Sequence, residues 1–164
     1  MTVISTTKDP ATLTLTLVAD FDASPDRVWE VWEDPRKLER WWGPPTYPAT
    51  FTRHDFVVGG ESRYFMTGPA GEKHRGWWRI DAIEKPHRLE FASGFAGDDG
   101  EPVPGVDPMP SYVTFEAVDG GTRMTAVTCF VSVEQMETML GMGMQEGLTQ
   151  AIDQIDALVA PARV

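Results

Sequence analysis

Six tryptophans and eight methionines are the most conspicuous candidates for a site in this sequence. The stretch ERWWGPPTYPATF at 39–51 sets Trp41 and Trp42 directly before Gly43-Pro44-Pro45, so two large indoles sit where a helix must stop. Tyr64 and Met66 alternate along one extended stretch, Trp78 and Ile80 along the next, and Phe91 follows on a third. Met136, Met139, Met142 and Met144 add thioethers near the C-terminus. Flexible, polarizable methionine mixed with aromatic rings suits an adaptable apolar pocket, and the same residues also serve to fill a core.

Reactive constellations are scarce. His54, His74 and His87 show no metal-ligand spacing, and neither HExxH nor CxxC is present. His54 and Asp55 are adjacent on a strand and therefore point to opposite faces, which makes His54 a surface or partly buried residue rather than half of an acid/base pair. Asp98, Asp99, Glu101 and Asp107 lack the spacing of a calcium loop and read as a solvated segment. Cys129, the single cysteine, has no basic neighbour in sequence to activate it. Arg63, Arg75 and Arg79 fall out of phase with Tyr64, Met66, Trp78 and Ile80, which assigns them to the solvent face. No cofactor and no metal are expected.

The elements that must position the aromatics follow from periodicity and punctuation. Residues 12–18, TLTLTLV, alternate as a half-buried antiparallel strand. Ser24-Pro25-Asp26 and Asp34-Pro35 open two short helices, with apolar stripes at Val28, Val31, Trp32 and at Leu38, Trp41, Trp42. Six strands are predicted next, at 49–57, 61–67, 73–84, 88–93, 112–118 and 122–131, the last pair joined by Asp119-Gly120-Gly121. Between them a Gly-, Pro- and Asp-rich segment, 96–110, reads as a long loop and candidate lid. A single long helix is predicted from Ser132, its face formed by Met136, Leu140, Gly143, Gly147, Ala151, Ile155 and Leu158. The small residues in that face indicate close packing onto a sheet or room for a ligand beneath the helix. This order gives an α+β fold with helices on one face of an antiparallel sheet.

The 164 residues make one domain, with its core at about 12–159. A net charge of −11 argues against nucleic acid, which needs a basic face. Between Arg123 and Arg163 there is no cation, and five carboxylates form a solvated acidic face. The opening MTVISTTKDP lacks a basic segment followed by an apolar one, and no apolar run reaches membrane-spanning length. Cytoplasmic placement, away from membranes, is the expectation.

Four segments carry a family resemblance: FDASPDRVWEVWEDPRKLERWWGPP, FVVGGESRYFMTGPAGEKHRGWWRIDAIEKPHRLEF, VTFEAVDGGTRMTAVTCF and GMGMQEGLTQAIDQIDAL. Together they resemble the START-like (SRPBCC) superfamily, in the bacterial branch named for homology to the C-terminal domain of the activator of heat-shock-protein-90 ATPase. The resemblance runs from about Leu13 to Leu158. It implies a helix-grip fold, a curved antiparallel sheet around the C-terminal helix with a deep cavity between them. Given that cavity, the expected lining is Trp41, Trp42, Tyr64, Met66, Trp78, Ile80, Phe91, Tyr112, Met136, Met139, Leu140, Gly143 and Met144. The function then expected is binding of a small hydrophobic molecule. A cyclase- or hydrolase-like enzyme is the alternative and needs inward polar groups such as Tyr112 or Thr128. An interaction module partnering a chaperone is the third. Assembly as a homodimer is compatible with each.

Overall fold

A computed structural model describes residues 3–159; the outermost residues of the domain read from the sequence, 1–2 and 160–164, lie outside that range. Eight antiparallel strands form one curved sheet in the order β1-β2-β8-β7-β6-β5-β4-β3. The strands are β1 (Val3–Asp9), β2 (Thr14–Phe21), β3 (Ala49–His54), β4 (Glu61–Thr67), β5 (Lys73–Glu84), β6 (Arg88–Ala96), β7 (Met109–Val118) and β8 (Gly121–Cys129). The predicted first strand is therefore β2. Its neighbour β1, VISTTKD, lacks a clean apolar alternation and pairs with β2 at the edge of the sheet.

Pleat parity decides which residues face the helices. Leu15, Leu17, Ala19 and Phe21 of β2 are buried in strict alternation. They continue into an inner face that includes Phe51, Tyr64, Trp78, Phe91, Val113, Phe115 and Met124. The opposite phase of β5 leaves Arg79 exposed and ion-paired to Asp81 at 2.9 Å. Fully burying a side chain of Leu or Phe size stabilises the fold by about 1.5–3 kcal/mol, so a one-residue slip of any inner strand is strongly disfavoured.

Two short helices cross one end of this face. Ser24 Oγ caps α1 (Pro25–Glu33) by accepting from Arg27 N at 3.4 Å. Asp34 Oδ1 caps α2 (Pro35–Trp41) by accepting from Arg36 N at 2.9 Å. Their buried faces carry Val28, Trp29, Val31, Trp32, Leu38 and Trp41.

The C-terminal helix runs in three segments, α3 (Val133–Gly141), α4 (Met144–Asp153) and α5 (Ile155–Val159). Ser132 Oγ accepts from Gln135 N at 3.0 Å, as anticipated, whereas Gln135 Oε1 accepts at 2.9 Å from Val131 N, one residue before the N-cap of the expected capping box. The first break falls at Gly143, whose φ of 87° is a left-handed conformation that favours glycine. Periodicity alone gives one helix here, because the apolar positions stay in phase across the joint. Close packing does not account for the other two glycines of the segment. A Cβ on Gly141 or Gly147 would have no neighbouring atom within 4 Å. At the second break Gln154 Nε2 donates to Gly43 O at 2.7 Å and Trp41 O at 3.3 Å. It thereby serves carbonyls that helix α2 leaves without intrahelical partners.

Candidate functional site

A cavity of about 430 Å³ lies between the inner face of the sheet and the helices. Trp32 enters it from α1, and Trp41 and Trp42 from the end of α2. Parity then brings Tyr64 and Met66 from β4, Phe91 and Ser93 from β6, Ser111 and Val113 from β7, and Ala126 and Thr128 from β8. The α3–α4 joint closes the other side with Met139, Met142, Gly143 and Met144, backed by Leu148 and Ile152. Among the lining residues there is no Asp, Glu, Lys or Arg. His74 and Tyr47 lie 5.6 Å apart, ring to ring, with His74 exposed.

Of the residues expected to line a cavity, Trp41, Trp42, Tyr64, Met66, Phe91, Met139, Gly143 and Met144 do so. Trp78 and Ile80 face the same side but are fully buried behind the wall, where the Trp78 ring stacks on Phe91 with centroids 4.4 Å apart. Met136 is buried in the core and Leu140 packs against it, neither reaching the cavity. Tyr112 is a correction. It shares its phase with Thr114 and Glu116, so it lies on the outer face, where the Arg88 guanidinium sits 4.6 Å from its ring centroid. The inward neighbours Ser111 and Val113 take the place expected of Tyr112. Alternation with Val113 and Phe115 carried that signal in the sequence.

Of the segment 96–110, read as a long loop and candidate lid, Met109 lines the cavity and residues 97–108 do not. Val103 N donates to Phe95 O at 3.0 Å and Gln135 Nε2 donates to Asp107 O at 2.9 Å. Glu101 lies 3.6 Å from Arg63, a residue of the outer face. These contacts hold the loop beside the sheet.

The indoles differ in how their N–H groups are satisfied. Trp41 Nε1 donates to Val31 O at 2.8 Å, and the residue is fully buried. The N–H groups of Trp29 and Trp32 are buried with no acceptor among the described residues, and those of Trp42 and Trp78, also buried, face the Tyr64 hydroxyl without a well-formed hydrogen bond. A buried donor left without a partner costs about 1–3 kcal/mol, and two of these four, Trp32 and Trp42, line the cavity. Trp42 packs edge-on to Trp78 at 4.8 Å and to Tyr64 at 6.0 Å. Burial pushes the Tyr64 hydroxyl above the ordinary tyrosine range, and the nearby Trp42 and Trp78 N–H groups offset part of that rise. Tyr64 lies across its strand partner Gly76, where a Cβ would collide with the phenol.

Behind this wall stands a part-buried polar relay that adjacency in sequence could not reveal. His54 Nε2 lies 2.9 Å from Trp32 O, and Nδ1 lies 2.7 Å from the buried Ser62 Oγ. A carbonyl only accepts, so Nε2 carries the proton and neutral Nδ1 accepts from the Ser62 hydroxyl. Burial lowers the His54 pKa, opposed by the Trp32 carbonyl and the charges of Asp55 and Asp34. The register shift between Phe51 and Arg53 turns His54 inward opposite Ser62. It also leaves Arg53 and Asp55 paired outside at 2.7 Å.

The arrangement is suited to holding an apolar molecule. Its polar groups are hydroxyls, indole N–H donors and the His74 imidazole, and no hydrogen bond joins two titratable side chains inside it among the described residues. Metal chemistry has no ligand set, since no three His, Cys, Asp or Glu side chains gather among the described residues. Nor is any described helix long and apolar enough to cross a membrane.

The model of the family described as Activator of Hsp90 ATPase homolog 1-like protein matches residues 22–160. A crystal structure of a Mycobacterium smegmatis protein is 44% identical, covers 99% of each chain and superposes with a TM-score of 0.90. A solution NMR structure of an Arthrobacter aurescens protein is 52% identical over 99% of this chain and 95% of that one, with a TM-score of 0.93. A Chromobacterium violaceum protein at 24% identity, covering 92% and 99% of the two chains with a TM-score of 0.78, shares the fold. A comparison with curated proteins finds no significant match.

Proposed function

We propose, from the premise that this chain belongs to the Activator of Hsp90 ATPase homolog 1-like protein family, that it binds a small hydrophobic molecule between its C-terminal helices and its sheet. One observation carries the reading: a cavity of about 430 Å³ lined by aromatic, aliphatic and methionine side chains without an Asp, Glu, Lys or Arg. Small-molecule sites commonly fall between about 300 and 1,000 Å³, with apolar walls and a few placed polar groups. An unliganded core of this chain length has no comparable need for such a space, because protein interiors pack to crystal-like density.

The enzymatic alternative asks for an acid/base pair in the cavity, and no hydrogen bond joins the titratable lining residues Tyr47, Tyr64 and His74 among the described residues. Native mass spectrometry of protein purified without denaturation, combined with thermal shift against neutral bicyclic aromatics, tests the binding reading. A retained or added small molecule with a raised Tm is the expected result. Silence in both measurements would overturn it.

A further inference from the structure

Buried hydroxyls in this fold have protein partners except where they meet the cavity. Among the described residues three polar side chains are buried: Ser62, Thr122 and Thr128. Ser62 Oγ lies 2.7 Å from His54 Nδ1, and Thr122 Oγ1 donates to Ala23 O at 2.7 Å. Thr128, 9% exposed, is the one of the three that lines the cavity. Its hydroxyl makes no hydrogen bond among the described residues, and neither does that of Ser111, its direct partner across β7 and β8. Neither oxygen is sealed in the wall, since the buried side-chain atoms without a well-formed hydrogen bond are four indole nitrogens. Both hydroxyls therefore open onto the cavity that their residues line. Pleat parity asks for inward side chains at these two positions but not for hydroxyls. Valine has the shape of threonine and suits a strand, and the inward neighbours Val113 and Ala126 are apolar. A hydroxyl without a partner in an apolar wall is unfavourable unless something in the cavity meets it.

Resting on the binding reading above, we propose that Ser111 and Thr128 form a subsite for a hydroxyl group carried by the cavity's otherwise apolar ligand. Directly opposed strand residues hold their Cβ atoms about 4.5–5.5 Å apart, so one oxygen set between the two side chains is within reach of both. A serine or threonine hydroxyl rotates freely, and it both donates and accepts. A ligand O–H can accept from one of the pair and donate to the other, whereas an ether or ketone oxygen can only accept. The aromatic and methionine walls take the remainder of the molecule. A hydrocarbon in the same place strips water from both hydroxyls and returns no hydrogen bond.

Isothermal titration calorimetry at pH 7 with 2-naphthol, 2-methylnaphthalene and 2-methoxynaphthalene tests the subsite. The phenol, uncharged at this pH, is expected to bind roughly tenfold more tightly than 2-methylnaphthalene, the difference that one or two net hydrogen bonds make. The methoxy compound, which cannot donate, should bind more weakly than 2-naphthol. Ser111→Ala and the isosteric Thr128→Val, made separately, should each lower the naphthol-to-methylnaphthalene ratio by about threefold or more. The affinity for 2-methylnaphthalene reports in each variant that the pocket is intact. Equal affinities for 2-naphthol and 2-methylnaphthalene in the wild type would overturn the proposal and leave hydrophobic binding standing. A methoxy compound that matches 2-naphthol would do the same, because no donated bond is then made. A ratio that survives both variants but collapses in His74→Gln would move the polar contact to the imidazole and sink the assignment. Failure of all three probes to bind would remove the binding reading itself, and this proposal with it.

Discussion

Two neighbouring indoles do different work because one is bonded to a backbone carbonyl in the core and the other is not. Trp41 donates to Val31 O, ten residues back on α1, and Trp41→Phe strands that carbonyl in the core. We expect a loss of about 2 kcal/mol in urea unfolding, the cost of a broken buried hydrogen bond plus lost packing. Trp42→Phe deletes a donor that makes no well-formed hydrogen bond, so its stability should stay within about 1 kcal/mol of wild type. Ligand-dependent quenching of tryptophan emission should fall in Trp42→Phe and survive in Trp41→Phe. Helical spacing placed both rings on one turn; which of them meets a carbonyl depends on how α1 crosses α2, and no local pattern encodes that. His54 makes a second prediction at this scale. Its folded pKa lies below histidine's ordinary 6.5, so beneath that value the unfolded chain takes up the proton first. Stability is therefore fully present above about pH 6.5 and is lost as pH falls through the folded pKa. Urea midpoints should drop between pH 7 and pH 5 in the wild type. His54→Gln, whose amide can still donate to Trp32 O and accept from Ser62, should flatten that window. A wild-type midpoint that is level from pH 7 to 5 would contradict the assignment of the buried neutral ring.

Elements were legible wherever one physical rule acted alone. Alternation located the strands that build the inner face, and Ser24, Asp34 and Ser132 announced the three helix starts they cap. Phase also placed Arg79 outside. Applied to Val113 and Phe115, the same rule puts Tyr112 outside, so that site error came from choosing a residue for its hydroxyl over its phase. Other features lay beyond local rules. The edge strand β1 pairs with β2 and has no clean alternation in its sequence to announce it, and the register shift that turns His54 inward depends on its β4 partner. The C-terminal helix shows competition between two rules, since its apolar positions call for continuity while Gly141, Gly143 and Gly147 weaken it. Substitution separates these glycines. Gly143→Ala forces a Cβ into a φ of 87° and should lower stability by about 1 kcal/mol. Gly147→Ala meets open space within a helix and should raise it by up to about 1 kcal/mol. Thermal unfolding reads both signs, and a stabilising Gly143→Ala would mean the joint is not held in the left-handed conformation. Gln154→Leu removes the two hydrogen bonds to Trp41 O and Gly43 O and should cost about 1–2 kcal/mol.

At the scale of the whole molecule the question is which of the elements around the cavity yields most easily to an entering molecule. The sheet offers no route, because its eight strands pair in unbroken order and their ladders would have to part together. The 97–108 loop is tied to Phe95, Arg63 and Gln135 and touches no part of the cavity. The α3–α4 joint is the weakest cover. Gly143 interrupts the backbone ladder there, Met142 is 67% exposed, and Met139 and Met144 face the cavity on either side of the break. Methionines on a hinge can re-pack around different shapes without fixed rotamer demands. Hydrogen exchange with mass spectrometry should therefore show peptides spanning 139–148 exchanging fast in the free protein and slowing when a neutral bicyclic aromatic is bound. Peptides spanning 97–108 should exchange at the same rate in both states. Protection confined to 97–108 would make that loop the gate after all and reduce the glycine joint to a static kink. Protection of 139–148 alone would locate the entrance at the one element of the fold where the helix periodicity and the glycines pull in opposite directions.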